Sequence, residues 1–191
     1  MQDRQSDTQI PQSDITPSLV ERLRSGDSQA GEILLRQYRD TLVRFCWGYL
    51  GRLDEAEDAV QETCCRVLSA ETVPDAFRPW MYKLARHHCL NLLRQRARRP
   101  DGDVLPAASQ IYGAMTGNLT RLVRGEQASR LAELVQSLPD DQREVLRLRY
   151  VEDLSRTEIA DVLDLNESVV KSRLFEGMKR LREAATALRE S

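Results

Sequence analysis

Residues 154–181 read LSRTEIADVLDLNESVVKSRLFEGMKRL, two short helical periods separated by a break of three residues. Ser155 followed by Glu158 has the form of a capping box, in which each side chain satisfies a backbone N–H that the first helical turn leaves free. Ile159, Ala160, Leu163 and Leu165 supply a short apolar face. Asp164-Leu165-Asn166 predicts a tight turn, with Asn166 suited to cap a second helix. Two short helices joined this way make a helix-turn-helix. At about 100° per residue, Val170, Leu174, Met178 and Leu181 line one side of the second helix. Ser168, Lys171, Ser172, Phe175, Lys179 and Arg182 line the other. Hydroxyls, cations and one outward aromatic suit a helix lying in the major groove of duplex DNA. Cations neutralise phosphate or read guanine, serine adapts to several base edges, and phenylalanine touches a thymine methyl. A solvated amphipathic hairpin shows the same outward cations, so the pattern alone leaves both readings open.

Outward from this motif the chain stays helical. LPDDQREVLRLRY (138–150) predicts a helix opened by Pro139, and Leu119 to Val135 predicts another. Between Pro100 and Asn118, PDGDVLPAASQIYGAMTGN holds two Pro, three Gly and no sustained period. That composition marks a linker. Nearer the N-terminus, Ile33, Leu34, Leu35, Tyr38, Leu42, Phe45, Cys46 and Tyr49 recur at spacings of three and four, and Gly51 predicts a stop. Asp54 with Glu57 predicts a capping-box start to the next helix. There Ala56, Ala59, Val60, Thr63, Cys64 and Val67 share one face, and Asp54, Glu55, Asp58, Gln61 and Glu62 the opposite one. No segment alternates with period two over a useful length. The expected fold is all-α: two small helical domains joined by a flexible linker, the C-terminal one a helix-turn-helix. The expected boundaries are a disordered tail over 1–16, a helical domain over 17–99, the linker over 100–118 and the second domain over 119–191.

Phe77 to Arg99, FRPWMYKLARHHCLNLLRQRARR, holds seven Lys or Arg, both histidines and no Asp or Glu, although the whole chain has a formal net charge of -2. The helix is expected to start at Trp80, after a loop SAETVPDAFR that Pro74 and Pro79 bracket. On a helical wheel Lys83, Arg86, His87, Asn91, Arg94 and Arg98 fall on one side, with Trp80 projecting toward them. Met81, Ala85, Cys89, Leu92 and Leu93 fall on the core side. A Trp folded into the core beside a solvated Arg row is the plainer alternative. Against it, no anion neutralises the row. Aromatic and cationic groups together also stack on unpaired bases and track a phosphate backbone. Two DNA-contacting modules on one tether bind more tightly than either alone when both sites are spanned.

The composition limits the other possibilities. At 191 residues with 41% hydrophobic, 5% aromatic and 30% charged residues, a core of Leu, Val, Ala and Ile is expected under much solvated surface. No apolar run approaches the ~18 residues of a membrane span. The N-terminal MQDRQSDTQIPQSD lacks a signal-peptide pattern, which makes cytoplasmic the expectation. Cys46, Cys64, Cys65 and Cys89 form no CxxC pair and read as small reduced hydrophobes. His87-His88-Cys89 points its side chains ~100° apart and lacks the four placed ligands of a closed zinc site, so no metal is expected. With no glycine-rich phosphate loop, no metal set and no carboxylate partner for either His, neither a cofactor nor enzyme activity is expected.

Three motifs, in this order around the linker, resemble the extracytoplasmic-function (ECF) sigma factors, small RNA polymerase subunits of the sigma-70 family. They are DEAEDAVQETCCRVL, FRPWMYKLARHHCLNLLRQRARR and LPDDQREVLRLRYVEDLSRTEIADVLDLNESVVKSRL, and the similarity runs from about Ala30 to Arg182. The resemblance implies a subunit that binds core polymerase, recognises two promoter elements and assists DNA melting. It implies that Asp58, Gln61 and Glu62 dock on the clamp helices of the largest polymerase subunit. The loop Ser69 to Ala76 would capture a flipped base of the minus-ten element, at a cost of a few kcal/mol of unstacking. Trp80, Lys83, Arg86 and Arg94 match the promoter-melting helix, whose cationic side also carries His87 and Arg98. Lys171, Ser172, Arg173 and Phe175 match the helix that reads the minus-thirty-five element, where Ser168 and Lys179 share the outer face. The linker would run toward the RNA path. Free members of the family are commonly masked by an anti-sigma factor, so such a partner joins core polymerase and promoter DNA among those implied.

The departures from the family pattern are His87 and Asn91, where Asn and Asp are frequent, Ser168-Val169, where Gly-Thr is common, and Glu176, where a basic residue is common. Glu176 would repel phosphate, so mechanism carries over better than sequence preference. A stand-alone helix-turn-helix regulator is the alternative, and it leaves the acidic cluster and Trp80 without a task.

Overall fold

The computed structural model describes residues 17–98, 133–135 and 137–187. The expected tail over 1–16 and the linker over 100–118 lie outside the described residues, as does most of the helix expected over 119–135. Among the described residues there is no strand. The helices are α1 (Pro17–Arg24), α2 (Ser28–Leu50), α3 (Leu53–Leu68), α4 (Phe77–Ala97), α5 (Asp140–Tyr150), α6 (Arg156–Leu163) and α7 (Glu167–Ala187), with a further helical turn at 133–135. The all-α expectation holds.

Local chemistry sets most of the boundaries. The Asp27 carboxylate accepts from Gln29 N at 3.0 Å and Ala30 N at 3.3 Å, capping α2. Gly51 closes that helix as expected, at φ 72°, where its N–H donates to Trp47 O at 2.8 Å. A left-handed residue at this place favours glycine. The capping box expected at Asp54 does not form. Helix α3 begins at Leu53, with Arg52 at the cap and no side-chain cap bond. Asp54 therefore sits inside the first turn, held by Arg52 Nη2 at 2.6 Å, where its charge still favours the helix N-terminus. Helix α4 starts at Phe77 and not at Trp80. Pro79 falls within its first turn, where a missing N–H costs no helical bond, and the ladder begins with Trp80 N donating to Ala76 O at 3.2 Å.

Helix α2 runs through the middle of the N-terminal bundle. Leu34, Tyr38, Leu42, Phe45, Cys46, Tyr49 and Leu50 are buried there against Ala56, Ala59, Val60 and Val67 of α3. Phe77, Met81, Tyr82, Ala85 and Cys89 of α4 complete that layer. Leu92 and Leu93, expected in the core, are only half-buried. Tyr82, absent from the expected core face, is fully buried, its ring edge-on to Phe45 at 5.0 Å between centroids. The same apolar cluster continues into Val145, Leu148, Leu154, Ile159, Val162 and Val170. Residues on either side of the expected linker thus share one core.

The helix-turn-helix follows the sequence closely. Ser155 Oγ accepts from Glu158 N at 3.1 Å while the Glu158 carboxylate accepts from Ser155 N at 2.7 Å, the reciprocal pair of a capping box. Asp164 ends α6 in the left-handed region, at φ 55°. Asp is among the few L-residues that take this conformation locally. Leu165 N then returns to Ala160 O at 3.0 Å, and Asn166 O receives Val170 N at 3.2 Å to start α7.

Candidate nucleic-acid interface

The outer face of α7 presents Ser168, Lys171, Ser172, Phe175 and Lys179 to solvent, with Phe175 68% exposed. An apolar ring left in water on a helix that buries Val170 on its other side is available for contact. Arg173 belongs to a different environment. It is half-buried, and its Nε lies 3.2 Å from the Asp141 carboxylate of α5. Glu176 accepts from Ser172 Oγ at 3.2 Å and from Gln142 Nε2 at 3.1 Å. Its carboxylate fixes the orientation of a serine on the outer face. The structure therefore brings five of the six α7 candidates onto one surface and turns Arg173 toward α5.

On α4, His87, Arg94 and Arg98 are exposed, and Arg94 Nη1 donates to Asn91 Oδ1 at 3.1 Å. Trp80 is half-buried against Phe77, their ring centroids 6.0 Å apart. The expectation that no anion neutralises this row is overturned for two of its members. Lys83 pairs with Asp164. The Arg86 guanidinium grips the Glu144 carboxylate through Nε at 2.7 Å and Nη2 at 3.1 Å. These anions lie far along the chain, beyond the reach of a helical wheel. The bond from Lys83 holds the Asp164 carboxyl below its ordinary range. Burial works against the Arg86 charge, but the bonds to Glu144 outweigh it and its pKa rises. Pro74, Pro79, Trp80, Lys83, Asp164 and Leu165 help line a groove of about 560 Å³ between the start of α4 and the turn after α6.

Beneath these pairs lies an arrangement that the sequence did not announce. Arg147 of α5 is 1% exposed. Its Nη2 donates to Phe45 O at 2.5 Å, and its guanidinium carbon stands 4.9 and 5.0 Å from the Phe45 and Tyr49 ring centroids. A cation over two ring faces gains from their quadrupoles, more so when water is excluded. Glu152, 3% exposed, lies 3.8 Å from Arg147 Nε and accepts from the Tyr82 hydroxyl at 3.1 Å. Burial raises its pKa despite these partners. Tyr49 also donates to Glu144. The guanidinium has room because residue 48 is a glycine, where an added Cβ would lie 2.6 Å from Arg147 Cζ. A glycine inside a long helical pattern was the one available signal.

The acidic set on α3 is partly dispersed. Asp58 and Gln61 are exposed and line a groove of about 580 Å³ with Glu32, Arg36, Arg39 and Glu57. Glu62 is half-buried and paired with Arg66 at 2.8 Å, which lowers its carboxyl pKa. His87 faces solvent while Cys89 is fully buried in the core, so His87-His88-Cys89 does not converge on a point. Among the described residues no helix is long and apolar enough to cross a membrane.

The family profile described as Sigma-70 region 2 matches residues 34–99, and the one described as Sigma-70, region 4 matches residues 128–181. The ECF RNA polymerase sigma-E factor of Escherichia coli K12 is 32% identical over 176 residues, covering 87% of this chain and 90% of the relative. The chain belongs to the ECF sigma factors. The ECF RNA polymerase sigma factor SigW of Bacillus subtilis is 27% identical over 176 residues, covering 86% of this sigma factor and 93% of SigW. The solved structure of CnrH in complex with the cytosolic domain of CnrY shares the fold, at a TM-score of 0.62 and 21% identity over 90% of this chain and 97% of that one. This sigma factor is accordingly an RNA polymerase subunit of transcription initiation. Its region 2 spans most of α2 and all of α3 and α4, and its region 4 spans α5, α6 and most of α7.

Proposed function

We propose that this sigma factor divides initiation among three separate surfaces. The groove at Asp58 and Gln61 docks core polymerase, the cationic side of α4 with Trp80 engages the opening minus-ten region, and the outer face of α7 reads the upstream duplex. The assignment is supported most by the exposed Ser168, Lys171, Ser172, Phe175 and Lys179 on α7, a set that serves no packing role in the fold. The polymerase supplies the catalysis, and the sigma factor contributes recognition in the cytoplasm. A masking anti-sigma partner, implied by the family resemblance, is supported by the likeness to CnrH, whose solved structure is a complex with the cytosolic domain of CnrY.

Docking is tested by Asp58→Lys, an exposed position whose reversal leaves the core untouched. Co-purification with core polymerase is expected to fall at least about tenfold, equivalent to ~1.4 kcal/mol of binding. Unchanged retention would defeat the assignment. On α7, Lys171→Ala is expected to weaken binding of upstream duplex and to lower the slope of log affinity against log salt by about one unit. An unaltered slope would place Lys171 away from phosphate.

A further inference from the structure

We propose that Ser172 and Glu176 form a paired acceptor on α7 that selects cytosine at one base pair of the upstream duplex. The inference rests on reading the outer face of α7 as the surface that meets that duplex. A carboxylate on such a face is expected to repel phosphate, but its surroundings give it another task. Ser172 Oγ donates to one Glu176 carboxylate oxygen at 3.2 Å, and Gln142 Nε2 donates to the other at 3.1 Å. An ionised carboxylate only accepts, so the single hydroxyl proton of Ser172 is taken up by Glu176. What Ser172 has left to offer is a lone pair. Both side chains are exposed, and both therefore present acceptors to whatever lies against them.

The pair is held from beneath. Gln142 of α5 is 4% exposed, and it reaches Glu176 where α5 and α7 approach closely at Gly177. An added Cβ at Gly177 would lie 2.9 Å from Leu146 Cδ1 and 3.4 Å from Gln142 Cβ. The carboxylate charge is not quenched nearby. Arg173, one turn earlier, lies against Asp141, and among the described residues no Lys or Arg pairs with Glu176. Lys171, exposed on the same helix, remains available to phosphate. In the major groove an acceptor pair discriminates by polarity. Cytosine offers only its N4 amino donor there, whereas guanine shows two acceptors, N7 and O6, and thymine shows O4. Adenine sets its N6 donor beside the N7 acceptor, which a second protein acceptor opposes. Cytosine is thus the best match and adenine the next, while guanine and thymine are rejected by lone pairs that face lone pairs.

The test uses the full chain assembled with core polymerase, which selects from a duplex library of random sequence; the retained duplexes are sequenced and aligned. Wild type is expected to retain an upstream element in which one position favours cytosine over guanine at least about tenfold. Glu176→Arg should exchange cytosine for guanine at that position alone, because a guanidinium donates to O6 and N7. Glu176→Gln, which keeps the shape and can still bond to Ser172 and Gln142, should move the preference to adenine. Ser172→Ala should weaken the cytosine preference at the same position and leave the others as they are. Unchanged base preferences in both Glu176 variants would overturn the proposal. So would a loss of selectivity spread over the whole element with no exchange of base, since that is the signature of a residue that only supports the helix. The assignment of α7 to upstream duplex fails separately, and the proposal with it, if Lys171→Ala and Phe175→Ala leave both the retained sequences and the amount of duplex retained at wild-type values.

Discussion

Phe45→Ala is expected to lower the unfolding free energy by about 3–5 kcal/mol, the range for deleting a fully buried aromatic ring. The ring is fully buried, edge-on to Tyr49 at 5.1 Å and to Tyr82 at 5.0 Å, with the Arg147 guanidinium over its face. Truncation opens a cavity at the point where both helical sets meet, and removes a ring beneath a buried cation. The neighbours cannot easily collapse into the space, because Tyr82 and Tyr49 are each fixed by a hydroxyl bond to a carboxylate. Urea unfolding followed by circular dichroism measures the loss. Phe175→Ala is the reference, since its ring is largely in water and its removal should change stability by no more than about 0.5 kcal/mol. Equal losses at the two positions would contradict the packing described for Phe45.

Glu152→Ala is expected to destabilise the native state by about 3 kcal/mol, because it leaves a guanidinium buried without its counter-ion. Arg147 already satisfies only part of its donor set, with Nε and Nη1 making no hydrogen bond. The double replacement Arg147→Met with Glu152→Leu should recover most of the loss, since an apolar pair of similar volume removes both desolvation costs. A double variant as unstable as Glu152→Ala would show that the loss comes from packing and not from the stranded charge. The loss also has a ceiling. Once parting the two helical sets costs less than keeping the guanidinium dry, they part and Arg147 reaches water. Expansion in scattering should then accompany the fall in stability.

What could be read in the sequence follows the range of the interactions. The capping box at Ser155 and the turn at Asp164 involve residues three or four apart, and both took the expected form. The outer face of α7 was legible for the same reason, since one helical period places it. The start of α3 was not, because Asp54 has a competing local partner in Arg52 that draws its carboxylate out of a capping role. The neutralisation of Lys83 and Arg86 was illegible for a different reason. Periodicity assigns a side chain to one side of its own helix and says nothing of what lies across from it, and here Asp164 and Glu144 do. Arg173 illustrates the same limit. Its place in the motif matched the family's reading helix, while the structure gives it to Asp141. Arg147 and Glu152 combine both difficulties, as charged residues on a short amphipathic segment that ordinarily face solvent.

Gly48 carries a consequence for descent. A glycine in the interior of a helix costs about 1 kcal/mol relative to alanine, so a lineage keeps it only while something needs the vacated space. Here the space holds the Arg147 guanidinium. Any relative with a side chain at the Gly48 position has no place for that guanidinium over the two rings. The two positions are therefore expected to covary, and a relative in which they have changed together should hold its two halves apart.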